Sequence, residues 1–262
     1  MRKQVVILMS HFFDTYFIRG KYQRLREELD VNRYDVVLLF NANNKVKAMD
    51  IIPDTINAYV YDIDDLNELG YTPICGNLLP GSCHFPVLRF YLDHPSYSYY
   101  WLIEYDVDFT GKWSNLMDSF DYSNSDFVAT YMTHYNVLKN RGWMWWNKSN
   151  KMQYPVTECI RGFHPICRYS NRALNYIDQY QKKGYSAHSE VLIATCLYHA
   201  GMELEDFGGT GEFVKLENKN KFYIIPTEQN IGTFCYRPVY PIEYVRDNGI
   251  REKLYHPIKP RQ

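Results

Sequence analysis

Tyr99-Tyr100-Trp101-Leu102-Ile103-Glu104-Tyr105-Asp106-Val107-Asp108 is the stretch that decides how this chain folds. Tyr99 to Ile103 is an unbroken apolar run, as expected of a strand buried on both faces. It runs directly into acidic residues and then into a turn at Thr110-Gly111. Side chains two apart on a strand share a face, so if the strand persists Glu104, Asp106 and Asp108 point one way. Three carboxylates on one face repel unless a cation or a proton offsets them. Open α/β sheets bind ligands at the carboxyl ends of their strands. Hard oxygen ligands at that place suit Mg²⁺ or Mn²⁺ bridging a diphosphate. The competing reading is a solvated strand end before a turn, where Asp is common. The apolar run just before the acids favours the metal.

Outward from this strand, the chain alternates strand and helix signals. Val5 to Met9, Asp35 to Phe40 and Ala58 to Ile63 read as buried strands, and Phe17 to Leu29 has helical spacing. Pro86 opens a short helix through Asp93. Further on, Asp126 to Met132, Cys159 to Tyr169 and Phe222 to Pro226 read as strands, and Asn171 to Lys182 and Ser189 to Tyr198 as helices. The tail from Pro238 reads as irregular. Continuous apolar runs separated by helices imply a mostly parallel central sheet flanked by helices, an α/β fold. With no repeat, low-complexity tract or linker, the 262 residues are expected to form one domain.

Composition narrows the class. The chain is 46% hydrophobic and 23% charged with a net charge of -1, which excludes a disordered chain and argues against nucleic acid as a partner. The 25 Tyr, 14 Phe and 5 Trp supply core packing and, alternatively, faces for a sugar or a base. Cys75, Cys83, Cys159, Cys167, Cys196 and Cys235 are scattered, with no zinc-like spacing, and read as thiols in a reducing compartment. The apolar start, Val5 to Met9, is too short for a signal-peptide core, and no run approaches the roughly 20 residues of a membrane span. A cytoplasmic protein is expected. Arg246, Arg251, Lys253, Lys259 and Arg261 form a basic tail that would suit peripheral membrane contact.

Two other features carry chemistry. Ala187-His188-Ser189-Glu190 precedes an apolar helix. Glu190 there either complements the helix dipole or takes a proton as a general base. Tyr255-His256-Pro257 suggests an ordered segment whose imidazole suits Mn²⁺ better than Ca²⁺.

In this order the features resemble the GT-A glycosyltransferase superfamily. The resemblance covers most of the chain as an order of elements and is specific at few positions. Asp106-Val107-Asp108 matches the Asp-x-Asp motif after a central strand, Glu190 the acidic residue opening a helix in the acceptor half, and His256 the late metal-site His. Two departures stand out. Ser189 replaces the first of two usual acidic residues, and Glu104-x-Asp106 is an alternative register of the motif. The resemblance implies a donor half over about 1–111 and an acceptor half over about 112–262. It implies transfer of a sugar from a nucleoside-diphosphate sugar to a glycan, lipid-linked or other hydroxyl acceptor. Mn²⁺ or Mg²⁺ would sit on Asp106, Asp108 and His256, and Glu190 would be the catalytic base. Ser10, His11, Asp62, Arg89 and Asp106 would bind the donor, with Asp64 near the base or ribose. Trp143, Trp145 and Trp146 would form an acceptor platform or a packed loop.

Two other functions compete. A nucleotidyltransferase would need a Gly-rich, basic loop after the first strand, and SHFFDTYF has neither Gly nor Lys. A carbohydrate-binding or inactive relative would use the aromatic residues for binding alone.

Overall fold

The computed structural model of the protein describes residues 3–42, 45–74, 78–137, 142–146, 151–228 and 230–260. In chain order the first half holds β1 (Gln4–Ser10), α1 (Ile18–Glu28), β2 (Tyr34–Asn41), α2 (Lys45–Ile51), β3 (Ala58–Tyr61), α3 (Ile63–Asn67), α4 (Phe85–Asp93) and β4 (Tyr99–Glu104). There follow β5 (Asp108–Phe109), α5 (Trp113–Asp118), β6 (Phe127–His134), β7 (Ile160–Ser170), α6 (Asn171–Lys182), α7 (Ser189–His199) and β8 (Leu204–Asp206). The tail carries β9 (Tyr240–Pro241), α8 (Ile242–Asn248), β10 (Leu254–Tyr255) and β11 (Ile258–Lys259).

Seven strands form one sheet in the order β3-β2-β1-β4-β7-β6-β8. The pairs β3-β2, β2-β1, β1-β4 and β6-β8 are parallel, and β7 lies antiparallel between β4 and β6. This is the expected α/β class with a mostly parallel sheet. The β4-β7 pairing makes the sheet continuous across the two expected halves.

Alternation within the apolar runs explains why they carry no polar face. Val6 and Leu8 pack into a core with α1 and α5, while Val5 and Ile7 pack into a second core with α4, α6 and α7. In β4, Trp101 and Ile103 join the first core and Tyr100 and Leu102 the second. The β4 backbone thus divides two buried layers, and Glu104 continues the side of Leu102.

Four expectations need correction. The strand over Tyr99 to Asp108 stops at Glu104, because Val107 N–H bonds back to the Glu104 carbonyl (3.0 Å) and closes a turn. Asp108 therefore no longer shares a face with Glu104. Ala58 to Ile63 stops as a strand at Tyr61, because Asp62 caps α3. Phe222 to Pro226 is not a strand. Ile224 bonds to Thr233, and the Phe222 carbonyl accepts from Leu254 N–H. The tail is ordered, since β10 pairs with β5 and β11 with β9.

Candidate active site

The turn that ends β4 builds one side of the site. Tyr105 N–H still bonds to the Met9 carbonyl of β1 (2.9 Å), after which the chain leaves the sheet. The returning tail fixes the turn from the other side. Tyr255 stands opposite Asp108 in the β10-β5 register, and Ile258 N–H donates to the Asp106 carbonyl (2.7 Å). This register sets His256 against Asp106.

Glu104, Asp106 and His256 form a cluster whose ligand atoms all lie within 4.8 Å of one another. His256 Nε2 is 3.6 Å from Asp106 Oδ1, an oxygen that has no hydrogen-bond partner among the described residues. His256 Nδ1 is 2.7 Å from the Cys235 carbonyl. A carbonyl only accepts, so Nδ1 carries the proton and Nε2 presents its lone pair to the carboxylates. An imidazole oriented this way by an outer carbonyl is a common metal-ligand arrangement. Two carboxylate oxygens and one imidazole nitrogen suit Mn²⁺ or Mg²⁺, with Mn²⁺ favoured by the imidazole. The residues therefore fit a divalent cation. Burial pushes the Glu104 carboxyl up to about 8, and neighbouring Asp106 and Glu190 add to the rise. Burial holds His256 below its ordinary value against the pull of Asp106.

A cavity of about 320 Å³ opens beside this cluster, at the carboxyl end of β4. Besides Glu104, Asp106 and His256, its wall includes His84, His164, His188 and Glu190. His84 precedes α4 and His188 caps α7, where its Nδ1 accepts from Glu190 N–H (3.3 Å). Gly81, at φ +97°, lets the loop pass close to this cap; a Cβ there would lie 3.2 Å from His188 Cδ2. Burial raises Glu190 to about 7, with Arg161 pulling the other way. That places its proton affinity where a base works best near neutral pH.

The structure brings Glu190, Asp106 and His256 to one cavity and adds Glu104, the member of the alternative register. It does not bring Asp108 there. Asp108 Oδ1 is 2.8 Å from Arg24 Nη1, and Oδ2 is 3.7 Å from Lys21 Nζ. Ser10, His11, Asp62 and Arg89 are not among the residues that line the cavity. Ser10 Oγ donates to the Phe12 carbonyl (2.7 Å), and His11 packs edge-on against Phe12 and Tyr105. Asp62 accepts from Asp64 N–H (3.0 Å) and Asp65 N–H (3.2 Å) in a capping box. Asp64 is exposed in the first turn of that helix. Arg89 makes surface ion pairs with Glu68 and Asp93, both at 3.3 Å. Trp145 stacks on His188 at 4.5 Å and Trp143 meets it edge-on, while Trp146 is buried against Cys159 and Val191.

His84 and His164 also border the cavity without standing out in the sequence. Their local signal is faint: one His just before Phe85-Pro86 at a helix start, the other inside a strand beside Pro165. Among the described residues, Cys83, Cys159, Cys167, Cys196 and Cys235 are free thiols, and Cys75 lies outside them. Lys253 and Lys259 of the basic tail bond to the Lys221 carbonyl and the Tyr105 hydroxyl. Arg261 lies outside the described residues. Among the described residues, no helix is long and apolar enough to cross a membrane.

No family model matches the sequence, and neither does any curated protein. Solved structures similar to this chain include a complex of the galactosyltransferase LgtC with donor and acceptor sugar analogues. It is 10% identical over 78% of this chain and 74% of that one, with a TM-score of 0.41. The bifunctional glycosyltransferase WbbM is 14% identical over 68% of this chain and 34% of that one, with a TM-score of 0.34. A glucose-1-phosphate thymidylyltransferase of Bacillus anthracis, solved with sucrose, is 11% identical over 71% and 85%, with a TM-score of 0.35. Solved glycosyltransferases are thus among the chain's structural neighbours. At these TM-scores the likenesses decide nothing about activity.

Proposed function

We propose that this chain is a metal-dependent glycosyltransferase that moves a sugar from a nucleoside-diphosphate sugar to a hydroxyl acceptor. The observation that carries the reading is the cluster of Glu104, Asp106 and His256 at the end of a central strand, sharing a cavity with Glu190. Glu104, Asp106 and His256 would hold Mn²⁺ or Mg²⁺, which when bound offsets charge on a diphosphate leaving group.

The chain's own residues supply the rest. Glu190 borders the cavity and takes the proton of the acceptor hydroxyl. The acceptor oxygen forms its bond to the anomeric carbon, and the bond from that carbon to the diphosphate breaks with its electron pair leaving on the diphosphate. His188 holds Glu190 at the helix start through the backbone, and Arg161 adds a positive field that keeps the carboxyl ionisable. Trp145, stacked on His188 at the start of the Glu190 helix, is the residue assigned here to the acceptor side. An acceptor on a glycan or on a lipid fits this arrangement equally.

The test is release of nucleoside diphosphate from a panel of nucleotide sugars, with and without Mn²⁺, by the wild type and Glu190→Gln. The expected result is metal-dependent release, lowered by about 10²- to 10⁴-fold in Glu190→Gln with donor affinity unchanged. Donor binding without release in the wild type would favour a carbohydrate-binding protein. Absence of binding to every nucleotide would sink the transferase reading.

A further inference from the structure

A second cavity lies apart from the one that holds Glu104 and Glu190. It measures about 540 Å³ and opens between α1, β5 and the segment around α8. It shares no lining residue with the first cavity. Its charged wall consists of Lys21, Arg24, Arg246 and Arg251 against Asp108 and Asp247, four cations to two carboxylates.

The cations differ in how far the protein itself engages them. Arg24 is fully engaged: its guanidinium meets Asp108 (2.8 Å), Glu28 (2.9 Å) and the Phe109 carbonyl (2.8 Å). Lys21 is not. Its side chain is 10% exposed, and its ammonium donates one hydrogen bond, to the Val107 carbonyl (2.5 Å), with Asp108 Oδ2 further off at 3.7 Å. An ammonium has three donors, so two remain. Burial lowers its proton affinity against the pull of Asp108 and Asp106, which leaves this part of the wall short of negative charge. Arg246 and Arg251 have, among the described residues, no ion pair and no side-chain hydrogen bond.

The backbone that carries the two arginines is held in place. Ile250 N–H donates to the Tyr255 hydroxyl (2.9 Å), and the Ile250 carbonyl accepts from Thr110 Oγ1 (2.5 Å), next to β5. Gly249 permits this approach, since a Cβ there would lie 2.9 Å from Thr110 Cγ2. Arg246 and Arg251 therefore face a formed cavity with Lys21 on its wall.

Guanidinium forks match the paired oxygens of a phosphate, and an ammonium adds a compact charge with donors of its own. Two such forks, two remaining ammonium donors and the surplus of positive charge suit a phosphate monoester, which carries a charge of about −2 near neutral pH. The volume lies within the usual range of ligand pockets, roughly 300–1,000 Å³, so there is room for more than a bare ion.

We propose that this second cavity binds the phosphate group of a phosphate ester through Lys21, Arg246 and Arg251. The ester is either a soluble molecule or the headgroup of a lipid, and the experiment separates the two. The site does not depend on the transferase reading.

The test is calorimetric titration of the full chain with glycerol 3-phosphate, and with glycerol as the uncharged control, at about 0.15 M salt. Flotation with phosphatidylcholine vesicles, with and without phosphatidate, runs beside it. The expected result is saturable binding of the phosphate-bearing probe and none of glycerol. In the double variant Arg246→Gln with Arg251→Gln, binding should be roughly tenfold or more weaker, because charge-assisted hydrogen bonds are lost. Both side chains are exposed, so the melting temperature of that variant without ligand should match wild type. Lys21→Met should weaken binding as well; if it does not fold, the arginine variant decides. Glycerol 3-phosphate binding without flotation assigns a soluble ester. Flotation on phosphatidate vesicles that is lost in the double variant assigns the lipid. Binding of neither probe overturns the site. So does equal binding by wild type and the double variant, which would put the phosphate elsewhere, such as beside Arg237 and Lys259 in the first cavity. The transferase reading stands under either outcome.

Discussion

Asp106 and Asp108 stand two positions apart and face different partners. Asp106 Oδ1 is buried beside His256 with no hydrogen bond among the described residues, whereas Asp108 is held by Arg24, Lys21 and its neighbour's backbone, Phe109 N–H (2.8 Å). Lys21 is buried deeply enough that its proton affinity falls despite Asp108. Asp108→Asn should therefore cost on the order of 2 kcal/mol in urea unfolding, by weakening charged hydrogen bonds, and leave the response to Mn²⁺ intact. A lost Mn²⁺ response at native stability would restore Asp108 as a ligand. His164 gives a second residue-scale test. Its ring is neutral in the native state down to about 3, against 6.5 for an ordinary imidazole. As pH falls below that ordinary value the unfolded chain takes up the proton first, so stability is lost toward acid. From about pH 7 to about pH 5 the loss at this one ring is about 2 kcal/mol. His164→Phe lacks it, so the stability gap between wild type and variant should move by that amount in the variant's favour. A gap independent of pH would show that His164 is solvated.

At the scale of elements, what could be read from the sequence was what burial on both faces imprints. β1, β2 and β4 appear as apolar runs because their side chains enter two cores in turn. β8 is only Leu204-Glu205-Asp206, and β5 and β10 are two residues each, too short for any period to register. An apolar run also carries no direction, so the antiparallel placement of β7 could not be foreseen. Asp62 shows the cost of reading a strand end by residue type. It satisfies two backbone N–H groups of α3, a task Asp does as readily as binding a ribose. Asp62→Ala should lower stability by about 1 kcal/mol and leave nucleotide-induced thermal stabilisation unchanged. A selective loss of nucleotide response would return Asp62 to the donor site.

Across the whole molecule, the site depends on a tail that read as irregular. Its order comes from pairing with distant segments: β10 on β5, β11 on β9, and His256 N–H on the Thr233 carbonyl (3.1 Å). Such pairings leave no local pattern, although His256 itself was marked by its Tyr and Pro neighbours. Glu190, Asp106 and His256 stood out in the sequence, and the structure brings them to one cavity. Between Asp108 and Glu104 the sequence left two registers open, since their placement follows from a turn that only the returning tail fixes. His256→Ala should cost about 1 kcal/mol through the bond to Cys235 and abolish stabilisation by Mn²⁺ with nucleotide. A full Mn²⁺ response in that variant would remove the tail from the metal site.

The most direct measurement is anomalous diffraction at the manganese edge from crystals grown with Mn²⁺ and a nucleoside diphosphate. The expected result is one strong peak among Glu104, Asp106 and His256, with the ion at about 2.0–2.3 Å from a carboxylate oxygen of each acid and from His256 Nε2. A peak at Asp108, or none beside β4 with nucleotide bound, would contradict the account.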